Sequence, residues 1–212
     1  MKKDELIVVD FDGTLIDYSQ RAFFAFKAAG ISKLDIPINL EDYIRLRRKR
    51  ISNYDLYTDL VGNVMGRDIY EKNWYQQIET ENLLEKDELF ADTIEWLNLV
   101  RDYADVILCS ARQNQVNLLS QISKLGIRDK FDHVLVATEP KRKSIVISEF
   151  LRSGTKVYTS IHFIGDTRND MLEGAEIGAK LHFIERGFTL RDQVIDVQGC
   201  SIFRELPTLY KS

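Results

Sequence analysis

Five short apolar runs recur along the chain with helical patterns between them, and this alternation restricts the fold more than any other feature. The runs are LIVVDF (6–11), DVILCS (105–110), HVLVA (133–137), IHFIGD (161–166) and KLHFIE (180–185). Each is short and largely apolar, and the first is rich in β-branched residues, so they read as buried strands. Between them lie helical stretches such as QNQVNLLSQISKLG (113–126), which ends in Gly126 as a helix C-terminus would. Strands alternating with helices predict a parallel sheet with helices on both faces, an α/β Rossmann-like core. GCSIF (199–203) is a candidate for one more strand.

The alternation stops between about residue 18 and residue 88. That stretch has helical patterns, no convincing strand, and six of the nine tyrosines. SQRAFFAFKAAG (19–30) puts Ala22, Phe23, Phe26 and Ala29 on one helical face, the spacing of a packing surface. The expected organisation is therefore a core domain of residues 1–17 and 89–212, with an α-helical domain, 18–88, inserted directly after the first strand. A chain of 212 residues is long enough for one full core and a small accessory domain.

Hydrophobic residues at 44% and charged residues at 29% place the chain among globular proteins rather than disordered ones. A net charge of −4 argues against general nucleic-acid affinity, and no apolar run approaches a membrane span. The N-terminal MKKDELIVVDFDGTL carries acids where an export signal would need an apolar core. Cys109 and Cys200 form no disulfide framework or metal-ligand spacing, so the expected compartment is the reducing cytoplasm.

The chemistry gathers at the strand ends. VVDFDGTL (8–15) ends its apolar run with Asp10 and Asp12, two residues apart and therefore on the same side of an extended chain. Two carboxylates that close repel unless a cation or a shared proton intervenes. Gly13 then allows a sharp turn and a close approach of the backbone. The second run ends in Ser110, and the fourth in Asp166, with Asp170 following at the start of a helical pattern. EPKRKSIVISEFL (139–151) offers Lys141 and Lys143 just before another helix. Ligands of open α/β sheets bind beyond the carboxyl ends of the strands, where these residues would converge.

These stretches resemble the four motifs of the haloacid dehalogenase superfamily, in its phosphatase branch. DxDGT matches Asp10, Asp12, Gly13 and Thr14; a strand ending in Ser or Thr matches Ser110; a lysine before a helix matches Lys143 or Lys141; and GDxxxD matches Gly165, Asp166 and Asp170. The insertion sits between the first two motifs, where this superfamily carries its helical C1 cap. The resemblance implies a Mg²⁺-dependent phosphatase in which Asp10 is the nucleophile and forms an aspartyl-phosphate. It assigns the metal to the Asp10 carboxylate, the Asp12 backbone carbonyl and the Asp166 carboxylate, with Asp170 just outside, holding a water or the lysine. It makes Asp12 the acid and base, while Ser110 and the lysine grip phosphoryl oxygens. Lys143 is preferred to Lys141, because it directly precedes the apolar run and its offset from Asp166 suits shorter members. Neither lysine is followed by the proline found in many capped relatives. The expected partner is a small phosphorylated metabolite.

Three alternatives share the core. A dehalogenase has no need of Asp12 or a metal; a sugar phosphomutase uses the same residues; a non-catalytic binding protein would have lost a motif aspartate. Ser110 has a second reading as the N-cap of the following helix, and Thr14 is expected to order the first loop. His133, His162 and His182 lie in or beside apolar runs and are read as core or edge residues, Trp74 and Trp96 as packing anchors, and Cys109 as a small buried hydrophobe. RLRRKR (45–50) is either a solvated helix face or a second anion-binding group. On a helix running through it, Arg47 and Arg50 would share one face and Arg45 with Arg48 or Lys49 another.

Overall fold

The computed structural model describes residues 3–30, 36–138 and 140–208. Two compact units make up the chain, residues 1–16 with 89–212 and residues 17–88. The strands are β1 (Glu5–Val9), β2 (Ile16–Asp17), β3 (Glu88–Leu89), β4 (Ala104–Ser110), β5 (His133–Val136), β6 (Ser160–Gly165), β7 (Lys180–Ile184) and β8 (Cys200–Phe203). The first unit is built on a six-stranded sheet in the order β5-β4-β1-β6-β7-β8, parallel throughout. β2 and β3 pair as a separate two-stranded sheet where the chain passes between the units.

The chain first builds outward from β1 through β4 to β5, then returns to the other side of β1 to add β6, β7 and β8. Strand order therefore reverses at β1, and the carboxyl ends of β4, β1 and β6 flank that switch point. In register, Val9 lies opposite Leu108 of β4 and Ile164 of β6. Asp10, Ser110 and Asp166, at the ends of three adjacent strands, thus lie within one residue of the same level.

Four helices cover this sheet: α6 (Thr93–Arg101), α7 (Gln115–Lys124), α8 (Lys143–Ser153) and α9 (Arg168–Glu176). The inserted unit holds α1 (Ser19–Ala29), α2 (Leu40–Arg48), α3 (Asn53–Val61), α4 (Arg67–Ile78) and α5 (Glu81–Leu84). The central strands are buried on both sides, which is why their sequences are continuous apolar runs. Leu6, Val8, Ile107, Cys109, Phe163 and Phe183 pack with Ile147 of α8 and Met171 of α9. The alternate residues Ile7, Val9, Val106, Leu108 and Ile164 are equally buried, as are Trp96, Leu97 and Val100 of α6 and Leu118 and Ile122 of α7. Each such side chain contributes about 1.5–3 kcal/mol on leaving water.

His162 and His182 sit side by side on β6 and β7, with Nδ1 of the first 2.9 Å from Nε2 of the second and their rings stacked. Burial pulls both down to about 4, so they are neutral core residues. His133 packs against Phe150. Trp96 donates its indole N–H to the Pro207 carbonyl at 2.9 Å, anchoring the segment after β8.

In the inserted unit, Ala22, Phe23, Phe26 and Ala29 of α1 are buried, as their spacing predicts. The tyrosines supply much of the remaining core: Tyr43, Tyr57 and Tyr70 are fully buried. The Tyr70 hydroxyl donates to the Phe26 carbonyl at 3.1 Å and that of Tyr43 to Asn53 Oδ1 at 2.9 Å, so their polar ends are satisfied. The basic cluster departs from the single-helix expectation. α2 stops at Arg48 with Lys49 as its cap, and Arg50 has φ +67°, so Arg47 and Arg50 share no helical face. Arg45 pairs with Asp42 at 2.6 Å in solvent, and Arg47 donates to the Ile51 carbonyl. These contacts fit the solvated-face reading. Among the described residues, no helix is long and apolar enough to cross a membrane.

Candidate active site

The turn after β1 is a tight knot around the Phe11 carbonyl, which accepts from the backbone N–H groups of Thr14, Leu15 and Ile16 at 3.3, 2.9 and 3.2 Å. Gly13 makes it possible with φ +82°, and a Cβ there would stand 2.3 Å from Asp166 Oδ2. Gly187, just beyond β7, approaches the same oxygen from another side; its Cβ would be 1.8 Å away. Two glycines therefore bring bare backbone against one carboxylate.

Asp10, Asp166 and Asp170 are buried, and each offers one carboxylate oxygen within 4.8 Å of the others. Lys143, the first residue of α8, reaches into this cluster, with Nζ 2.5 Å from Asp10 Oδ1 and 2.6 Å from Asp170 Oδ1. Asp170 also forms a capping box at the start of α9: Thr167 N donates to its Oδ2 at 3.1 Å, and its own N–H donates to Thr167 Oγ1 at 3.1 Å. Thr14 Oγ1 lies 3.4 Å from Asp10 Oδ2 and 3.5 Å from Asp166 Oδ1. Ser110 ends β4 and is 1% exposed. Lys141 instead pairs with Glu149 at 3.0 Å in solvent, so Lys143 is the lysine at the cluster.

Burial pushes Asp10 up to about 7, and the charges of Asp170 and Asp12 add to that, while Lys143 opposes it. Asp166 is raised well above the carboxylate range by burial first and then by Asp10 and Asp170. For Lys143, burial alone would favour the neutral amine, but attraction from Asp10 and Asp170 wins and holds it above its ordinary value. Three carboxylates face one ammonium, so the cluster lacks positive charge. Its donors are all hard carboxylate oxygens. That set fits a divalent cation of the Mg²⁺ type.

Asp12 is placed differently from its neighbour two residues back. Its side chain is clasped by Arg112, with Nε 2.8 Å from Oδ2 and Nη2 2.7 Å from Oδ1. Both side-chain oxygens are thus engaged by a guanidinium. The third carboxylate of the buried cluster is that of Asp170.

Ser110 is not a helix N-cap. α7 starts five residues later, and Asn114 caps it by accepting from Asn117 N at 3.1 Å. Sequence reasoning passed over Arg112, and over Arg186, which donates to the Thr14 carbonyl and pairs with Asp92 at 2.8 Å. Both lie two residues beyond a strand end, and Arg112 also stands two residues after Ser110. That adjacency was the available signal; the identity of their partners was not.

The family model described as haloacid dehalogenase-like hydrolase matches residues 7–184. No curated protein matches the chain in sequence. Among solved structures, a haloacid dehalogenase-like family hydrolase from Streptococcus pneumoniae superposes with a TM-score of 0.77 at 20% identity, covering 97% of this chain and 96% of that one. A predicted phosphoglycolate phosphatase from Haemophilus somnus gives 0.75 at 17% identity over 97% and 96%. A protein from Thermotoga maritima named as a β-phosphoglucomutase gives 0.67 at 15% identity over 95% and 94%.

Proposed function

The chain belongs to the haloacid dehalogenase-like hydrolase family, and on that premise we propose that it hydrolyses a small phosphate monoester through an aspartyl-phosphate on Asp10, with Mg²⁺ as its cation. The observation that carries this reading is the placement of Asp10 beside Asp166 and against Lys143, with a second carboxylate, Asp12, held separately by Arg112. One carboxylate is available to attack, and another to move a proton.

In the first half-reaction the Asp10 carboxylate forms a bond to phosphorus, the bond to the ester oxygen breaks, and Asp12 protonates the departing alkoxide. Lys143 and Ser110 hold phosphoryl oxygens by charge and hydrogen bond. In the second, Asp12 takes a proton from water as the water attacks phosphorus, releasing inorganic phosphate and restoring Asp10. Asp10, Asp166 and the Asp12 carbonyl would hold the cation, with Asp170 keeping Lys143 in place; when bound, the cation supplies the positive charge this cluster lacks. Residues 18–88, which separate the strands carrying Asp10 and Ser110 in the chain, are the C1 cap of this reading and select a small phosphorylated metabolite. A cytoplasmic setting belongs to it as well, supported by the free Cys109 and Cys200.

The test is a phosphate-release screen over sugar phosphates, phosphoglycolate, nucleotides and phosphorylated cofactors, with and without Mg²⁺. Stoichiometric phosphate release is expected, stopped reversibly by chelation and abolished by Asp10→Asn in a folded protein. Interconversion of hexose phosphates with phosphate release as a minor leak would replace the phosphatase by a mutase. Near-normal turnover in Asp10→Asn would remove the mechanism altogether.

A further inference from the structure

Arg112 is a nearly fully buried cation placed against one residue of the proposed machinery and next to another. Its guanidinium is 3% exposed, and it engages both oxygens of the Asp12 carboxylate, itself 22% exposed. Its remaining arm is occupied: Nη1 donates to Oε1 of Gln121, a buried residue of α7. The guanidinium carbon stands 4.9 Å from the centre of the Phe11 ring, and the backbone N–H faces Ser110 Oγ at 3.4 Å. The fork is thus held by α7 and the Phe11 ring as well as by Asp12. An arginine fixed in this way imposes a direction on the carboxylate it grips, because two parallel N–H···O bonds leave that carboxylate little rotational freedom.

We propose that Arg112 is a positioning residue for Asp12: a bracket, braced by Gln121 and Phe11, that sets the orientation from which Asp12 exchanges protons with the ester oxygen and with water. This rests on the acid–base part assigned to Asp12 above. Arg112 touches neither the phosphoryl group nor the ester in this scheme. Its effect on the reaction passes through the carboxylate, and that gives it a signature distinct from a general loss of structure.

The signature is leaving-group dependence. A primary alkyl phosphate needs its departing oxygen protonated, whereas p-nitrophenyl phosphate departs as a stable phenolate and needs little help. kcat/KM reports the steps through ester cleavage, so an error in aiming Asp12 falls on the alkyl ester alone. Misplacing a catalytic group by about 1 Å costs on the order of 10²-fold. Arg112→Met is therefore expected to lower kcat/KM for the alkyl ester by about 10²-fold through kcat, with KM changed by less than about 3-fold. The same variant should alter kcat/KM for p-nitrophenyl phosphate by less than about 3-fold. Arg112→Lys keeps the charge in a less disruptive change but lacks the fork; about 10-fold on the alkyl ester is expected, which maintains the test if the Met variant unfolds.

The decisive measurement is the cycle with Asp12→Asn. If Arg112 acts through Asp12, adding Arg112→Met to Asp12→Asn changes kcat/KM for the alkyl ester by less than about 2-fold. Equal losses on both esters, full additivity with Asp12→Asn, or a gain in activity would each overturn the bracket while Asp12 keeps its own large effect. An Asp12→Asn variant as active as the wild type on the alkyl ester would instead bring down the acid–base reading, and the bracket with it.

Discussion

The two units each bury ionisable side chains, and they do so in opposite ways. In the inserted unit, Arg21 and Asp87 form a closed pair with Nε 2.9 Å from Oδ2, at 2% and 0% exposure. Arg21 also donates to the Ile78 carbonyl at 3.3 Å and lies over the Tyr18 ring. A buried cation thus meets a buried anion directly, with a carbonyl and a ring beside it. At the carboxyl edge of the large sheet, three carboxylates share one lysine, and burial drives Asp10 and Asp166 towards their neutral forms. A matched buried pair is what a fold needs to tolerate charge in its interior. An unmatched cluster costs stability unless protons or a cation taken from solution offset its charge.

The sharpest way to break this comparison is to neutralise one member on each side and measure unfolding by urea with chelator present. Arg21→Met leaves Asp87 buried without its guanidinium and is expected to cost about 3–5 kcal/mol. Asp166→Asn removes a repelled charge and is expected to leave metal-free stability unchanged or raised. A loss of several kcal/mol in Asp166→Asn would show that the cluster is as balanced as the pair.

A cation supplied from solution sharpens the contrast. At about 100 times its dissociation constant, Mg²⁺ bound only to the folded state adds about 2.7 kcal/mol, seen as a higher Tm. The shift is expected in the wild type and in Arg21→Met, and to disappear in Asp166→Asn. A shift of equal size in all three would place the cation somewhere other than this cluster.

The smallest effect is expected where a pair is matched but wet. Arg45 and Asp42 lie 2.6 Å apart at 55% and 45% exposure. Water screens such pairs, so Arg45→Ala is expected to change stability by less than about 0.5 kcal/mol. A loss near that of Arg21→Met would mean that burial is not what separates the two.

Much of the fold was legible because it rests on local patterns. The strands at LIVVDF and DVILCS are apolar because both their faces are covered, and α1 shows its buried face at helical spacing. Asp10, Asp166, Asp170 and Lys143 stood out because each lies at an element end in a run that has few other reasons to carry it. The reach of RLRRKR was misjudged, since Arg50 leaves the helix in a left-handed conformation that composition does not signal. Ser110 looked like a cap only because the true cap, Asn114, is equally polar and stands four residues on.

What the sequence determined by itself is the alternation that builds a parallel sheet, and the residue types delivered to its carboxyl edge, since hydrophobic period and turn chemistry act over a few neighbouring residues. What only the tertiary structure decided is pairing across distance. Lys143 rather than Lys141 meets Asp10 because the start of α8 faces β1. Arg112 meets Asp12 across 100 residues of chain, Arg186 reaches back to Thr14, and Gly187 stands against Asp166. Such contacts depend on strand order and register, which set which ends are neighbours, and no local stretch of sequence encodes that choice.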